Sequence, residues 1–140
     1  MIILDTRLIS ETMKPQPHLA VKQWLDDQHA ETIYITSVSI AELLAGIGSL
    51  PNGRSKDGVA RALDRSLQVF TGRVLTFDTL AAWSFADLSI KAKNLPRSFA
   101  PMDLCIAAIA AAHGLPLASF EPALYDGLGI PVIDPLASDQ

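Results

Sequence analysis

Cysteine is almost missing from this chain: Cys105 is the only one in 140 residues. An internal disulfide and a cysteine-rich zinc site are therefore excluded. With apolar neighbours on both sides, the thiol reads as a small core residue of a reducing compartment. Histidine is scarce, and His18, His29 and His113 fall in unrelated places. His113 precedes Gly114 at a helix end, where an imidazole complements the helix dipole. His18 and His29 flank a surface helix and are expected in solvent. An excess of positive charge is missing too, with 11 basic against 15 acidic residues and a net charge of -4. A nucleic-acid partner would have to be met by a local basic patch or a metal ion. The longest apolar run, Leu104 to Ala112, is too short to span a bilayer. The opening Met-Ile-Ile-Leu-Asp has no basic segment of a secretory signal. A soluble, cytoplasmic protein with no membrane partner is expected. The glycine-rich dinucleotide and P-loop patterns and the nucleophile elbow are also absent.

What is present is enough apolar material for one full core. Hydrophobic residues make up 49% and charged ones 19%, which excludes global disorder. The length suits a single domain over residues 1–136, with a loose tail at 137–140. Strand and helix signals alternate. Ile2 to Leu4 reads as a buried strand ending at Asp5, and polar residues take over at Thr6 and Arg7. His18 to Gln28 carries an amphipathic helix pattern. Ile33 to Thr36 is a β-branched and aromatic strand. Ser37 or Ser39 then caps a helix running to Gly46 or Gly48, and Gly58 to Phe70 is a second helix, so that the two form a hairpin. Val74 to Phe77 is the third strand. Asp78 caps a helix over Thr79 to Lys93, and Pro101 opens another that ends at His113-Gly114. Leu117-Ala118 is a short strand, Phe120 to Asp126 a turn or helical stub, and Pro131 to Ile133 the last strand. Alternating elements predict an α/β sandwich with a mainly parallel sheet, whose chemistry lies beyond the carboxyl ends of the strands.

Four carboxylates stand at such ends. Asp5 closes the first strand, Glu42 lies in the first turns after the second, Asp103 opens the helix after Pro101, and Glu121 follows the fourth strand. Each also has a structural reading. Asp5 can cap the turn after its strand. Ser39-x-x-Glu42 fits a capping box, with Glu42 bonded back to the Ser39 N–H. Asp103 suits the positive end of its helix dipole, although the apolar run that follows places it on a buried helix. Glu121 can sit in solvent as loop glutamates do. If the strands are parallel, all four converge, and clustered carboxylates need a cation. Hard oxygen ligands without cysteine or histidine favour Mg²⁺ or Mn²⁺ over zinc.

The opening Ile-Leu-Asp-Thr, Ser37-x-x-x-Ala-Glu42-Leu43, Pro101-x-Asp103-x-x-Ile-Ala-Ala-Ile-Ala110 and the Leu-Ala-Ser … Gly-Leu-Gly-Ile-Pro-Val-Ile-Asp-Pro ending resemble, in that order, a PIN domain. The nearest likeness is to the VapC or FitB type of bacterial toxin–antitoxin and plasmid-stability proteins. The resemblance implies an α/β/α sandwich, a protruding helical hairpin and a Mg²⁺- or Mn²⁺-dependent endoribonuclease. It carries the family's three principal acids onto Asp5, Glu42 and Asp103, and the fourth onto Glu121. Thr6 and Ser119 match the hydroxyls beside the first and fourth acids. The cognate antitoxin, which supplies the contact with operator DNA, and a homodimer are the partners it implies, with RNA as substrate.

Two positions depart from the pattern. The usual Asn after Asp-Thr is Arg7, and the usual Arg before the fourth acid is Phe120. Arg7 can neutralise a carboxylate and compete with the metal, or point outward to grip a phosphate. Phe120 can stack on a base or simply pack. Both departures favour a second reading, a weakened or inactive domain kept as an RNA- or antitoxin-binding module. A third is a small-molecule phosphatase or hydrolase. Two basic groups, Arg54, Lys56, Arg61 and Arg65 on the hairpin and Lys91, Lys93 and Arg97 before the Asp103 helix, are candidate phosphate contacts. Their alternative is a solvated face with local ion pairs such as Arg61–Asp64. Leu43, Leu44 and Ile47 supply either core or a partner contact.

Overall fold

The structure, a computed structural model, describes residues 1–137. Five strands form one parallel sheet: β1 (Ile2–Leu4), β2 (Ile33–Thr36), β3 (Val74–Leu75), β4 (Leu117–Ala118) and β5 (Val132–Ile133). Their order is β3-β2-β1-β4-β5. β1 is therefore central, and the order reverses beside it, between β1 and β4. In register, Ile3 faces Tyr34 on one side and Leu117 on the other, and Leu4 faces Ala118.

Helices cover both faces. They are α1 (Thr6–Thr12), α2 (Leu19–Asp26), α3 (Ser37–Gly48), α4 (Arg54–Val69), α5 (Thr79–Lys93) and α6 (Pro101–His113). The pleat of β1 divides the core. Ile3 points into one cluster with α5 and α6, while Ile2 and Leu4 point into another with Leu8, Ile9, Val21 and Ile35. In α6, Ile106 to Ala110 are fully buried. A helix apolar all round belongs inside a fold, and its alanines let α5 and the sheet approach closely. Each buried isoleucine contributes about 1.5–3 kcal/mol. Among the described residues no helix is long and apolar enough to cross a membrane.

The sequence expectations hold for the sheet, for β2 and β4, and for α5 and α6 to the residue. Four local readings need correction. Helix α1 stands after β1, where the sequence reading has polar residues taking over at Thr6 and Arg7 and names no helix: it has only seven residues, too few to show a period, and is fixed by Asp5 at its N-cap and by Leu8 and Ile9 in the core. The cap of α3 is Thr36, whose Oγ1 accepts the Ser39 N–H at 3.1 Å. Helix α4 begins at Arg54 rather than Gly58, because the break falls at Gly53 with φ 146°. Strand β3 stops at Leu75, and Phe77 instead makes an edge contact with Phe85 at 6.0 Å. Residues 138–140 of the expected tail lie outside the described residues.

Candidate acidic site at the carboxyl end of the sheet

The site grows out of the strand order. In an open parallel sheet, the crevice beyond the strand ends opens where the order reverses. Here that point lies between the ends of β1 and β4, followed by Asp5 and Ser119. Both are fully buried. The Asp5 N–H donates to the Ala118 carbonyl at 3.1 Å, which locks the first acid to the neighbouring strand.

Asp5 does two things at once. One carboxylate oxygen caps α1, accepting the Leu8 N–H at 2.9 Å. The other accepts the Tyr125 hydroxyl at 3.2 Å. Burial pushes its carboxyl above the ordinary range, against the opposing pull of the Ser119 hydroxyl, the Leu8 N–H, Arg7 and Tyr125. Ser119 is positioned for that contact because its own oxygen accepts the Glu121 N–H at 3.0 Å. Tyr125 is a site residue that motif reasoning missed. Its only sequence signal is a hydroxyl-bearing aromatic in the short 3-10 helix Pro122–Tyr125 just after Glu121. Burial and the carboxylates of Asp5 and Asp103 raise its phenol far above the ordinary value, so it stays a hydrogen-bond donor.

Asp103 lies in the first turn of α6 and is 4% exposed. Its two oxygens receive the fork of Arg7, Nη1 to Oδ1 at 3.1 Å and Nη2 to Oδ2 at 3.5 Å. Arg7 Nε also stands 4.0 Å from Glu121 Oε2. Of the two roles open to Arg7, the structure thus has it neutralising acids. Glu121 is exposed at the rim.

Glu42 is reached from the other side. Thr6 donates its hydroxyl to Glu42 Oε1 at 2.7 Å and lies 2.9 Å from the Ser39 hydroxyl. The capping-box reading of Glu42 is therefore corrected: the Ser39 N–H is taken by Thr36, and Glu42 spends its carboxylate on Thr6, far away in sequence. Among the described residues, no three of the acids, histidines and cysteine stand close enough together to hold a metal ion. Asp103 and Glu121 are spanned by a guanidinium, and Glu42 is drawn to Thr6.

A groove of about 460 Å³ leads away from the acids, lined by Thr6, Arg7, Glu42, Leu43, Ile47 and Phe120 among others. Phe120 packs on the core cluster beneath β1. Beyond it a second groove, of about 710 Å³, shares Met13, Lys14 and Val59 with the first and carries Arg54 and Arg65. Arg97 is engaged elsewhere, donating to the Ala123 carbonyl and stacking 4.4 Å over Phe99. The pairing considered for Arg61 and Asp64 is not among the ion pairs of the described residues.

The sequence pattern of the PIN domain matches residues 2–126. The chain is 38% identical over 136 residues to the VapC ribonuclease Y4jK of Sinorhizobium fredii, covering 96% of this chain and 97% of that one. It is 36% identical over 136 residues to the toxin FitB of Neisseria gonorrhoeae, covering 96% and 98%. Its fold superposes on that of a chain in a FitAB complex bound to a DNA fragment with a TM-score of 0.91, at 33% identity, covering 100% of this chain and 99% of that one. With a full-length match of sequence and fold, and acids arranged at the reversal point of its sheet, this chain belongs to the PIN domain family and resembles its VapC and FitB toxins.

Proposed function

We propose that this protein is the toxin of a toxin–antitoxin pair and a divalent-metal-dependent endoribonuclease, cleaving RNA phosphodiester bonds at the acidic end of its sheet. The observation that carries this reading is the burial of two carboxylates, Asp5 and Asp103, at the reversal point of a parallel sheet. Carboxylates are desolvated in this way only at a cost, and a cation offsets it.

The donors fit a hard divalent ion in chemistry, since all are oxygens and no histidine or thiol is among them. Arg7 on Asp103 marks where a positive charge is wanted. Asp5 and Asp103 would hold Mg²⁺ or Mn²⁺, with Glu42 and Glu121 acting directly or through water. When bound, such an ion activates water and offsets charge building on the phosphoryl oxygens. The chain's own residues do the positioning. Leu8 N–H, Ser119 and Tyr125 fix the Asp5 carboxylate, and Thr6 with Ser39 fixes Glu42 at the mouth of the groove. Glu42 and Glu121 are the candidates to orient or deprotonate the attacking water. Arg54 and Arg65, with Lys14, give an acidic protein a local basic path for the RNA backbone.

The partner is an antitoxin, which carries the contact with operator DNA. Leu44 on the outer side of α3 is 54% exposed beside the half-buried Leu43 and Ile47, an apolar strip suited to such a contact. A homodimer has a separate candidate face on α5, where Leu80, Trp83 and Ile90 share one side and are 66%, 72% and 62% exposed. The protein acts in the cytoplasm, where its RNA substrate is.

The deciding experiment incubates purified, antitoxin-free protein with structured RNA in Mg²⁺, Mn²⁺ or EDTA. Metal-dependent cleavage that disappears in Asp5→Asn and Asp103→Asn is the expected result. A second reading, an inactive domain that only binds RNA or antitoxin, is favoured by the Arg7–Asp103 pair, and binding without cleavage would establish it. Turnover of a generic phosphate ester but not RNA would replace both.

A further inference from the structure

The contact between Arg7 and Asp103 is unequal. The carboxylate side chain is 6% exposed and the arginine side chain 36%. The anion is buried in α6, while its partner comes from solvent on a long, unbranched stem rooted at the second residue of α1. The two N–H groups of the fork address both Asp103 oxygens. With Nε directed to Glu121 at 4.0 Å, the guanidinium lies between the two acids. A guanidinium does not lose its proton in a protein, so this charge leaves only by movement. The side chain is 36% exposed and its stem has several rotatable bonds, so rotamer changes are the route by which it would swing outward.

We infer that Arg7 is a tethered counter-cation of the acidic site, competing with the divalent ion for Asp103 and so setting the metal concentration at which the site loads. The inference rests on the reading that this site takes such an ion. A guanidinium engaged with both Asp103 oxygens and a divalent ion on the same carboxylate repel each other at close range, so binding of one disfavours the other. The apparent affinity for the metal is then the intrinsic one multiplied by the fraction of molecules whose Arg7 is withdrawn. A pair closed in about nine molecules of ten weakens binding about tenfold. The arrangement also explains how the metal-free protein tolerates a buried Asp103, since Arg7 partners its charge in most molecules.

The test is a Mn²⁺ titration of metal-free wild type, Arg7→Asn and Arg7→Lys, read by calorimetry and by the paramagnetic resonance of free Mn²⁺, with no RNA present. Arg7→Asn is expected to bind Mn²⁺ about tenfold tighter. Arg7→Lys, which keeps the charge but loses the fork, should fall between it and wild type. Metal-free Arg7→Asn should melt lower than wild type and gain more from saturating Mn²⁺. A purely structural arginine would give the lower melting point without the tighter binding. Equal or weaker Mn²⁺ affinity in folded Arg7→Asn overturns the inference. If Arg7→Asn does not fold, Arg7→Lys decides by the same criterion. Tighter Mn²⁺ binding without RNA cleavage by any variant supports the inference and removes only the nuclease. Metal-dependent cleavage by wild type with equal Mn²⁺ affinity in all three removes only the inference, and no Mn²⁺ binding by any of them overturns it outright.

Discussion

The Tyr125 hydroxyl and the Asp5 carboxylate, 120 residues apart in sequence, meet at 3.2 Å in the interior. Their contact ties the turn after β4 to the end of β1 and leaves Asp5 one orientation, because its other oxygen is held by the Leu8 N–H. Tyr125→Phe removes this donor and nothing else of the ring. It should cost about 1 kcal/mol in urea unfolding. It should also move the Asp5 carboxyl still further above its ordinary value, as read by carbon NMR of the side chain during a pH titration.

Asp5 itself is a stability cost carried for the site. Burial raises its carboxyl in the folded state. The folded protein therefore keeps the proton at a pH where the unfolded chain has already lost it. The stability this group contributes is full below the unfolded value and is lost as pH rises through the raised one. Asp5→Asn carries no such loss, and its amide can still accept from Leu8 and contact Tyr125. Metal-free Asp5→Asn should thus gain on wild type as the buffer goes from about pH 4 to about pH 8, by about 1 kcal/mol at the upper end. Thermal melts across that range check the sign.

Thr6→Val deletes the hydroxyl that joins Glu42 and Ser39. Shape is nearly kept, so the loss is one of hydrogen bonding, about 1–2 kcal/mol by denaturant unfolding. Thr6→Ser should restore most of it. RNA cleavage should fall in Thr6→Val and recover in Thr6→Ser if Glu42 needs this partner to face the groove.

Gly114 ends α6 with φ 63°, and a Cβ there would meet nothing within 4 Å. Space is available, so only backbone strain opposes a side chain. Gly114→Ala should cost about 1 kcal/mol, and Gly114→Asn less, since asparagine tolerates this conformation. Melting temperatures of the two variants give the comparison.

What could be read in the sequence was what is local and strongly patterned. Asp5 stands out as an acid directly after three apolar residues, and Asp103 as one just before a buried run. Helices α5 and α6 announce themselves by Asp78, Pro101 and Gly114. The remainder depends on contacts between distant segments. Spacing gave Glu42 a neighbour in Ser39, whereas its hydrogen bond goes to Thr6 at the start of α1. Arg7 was open to either of two roles because its direction is set by where α6 places Asp103. Tyr125 could not be matched with Asp5 until the strand order was known, and α1 is too short to display a period.

The central position of β1 has a consequence for synthesis. β1 leaves the ribosome well before β4, and its second edge stays unpaired until β4 follows. Until Ser119 has emerged, Asp5 faces an open edge and the hollow does not exist. Parallel pairing across such a separation is slow to form, so a nascent or prematurely terminated chain carries the first acid of the site without the means to use it.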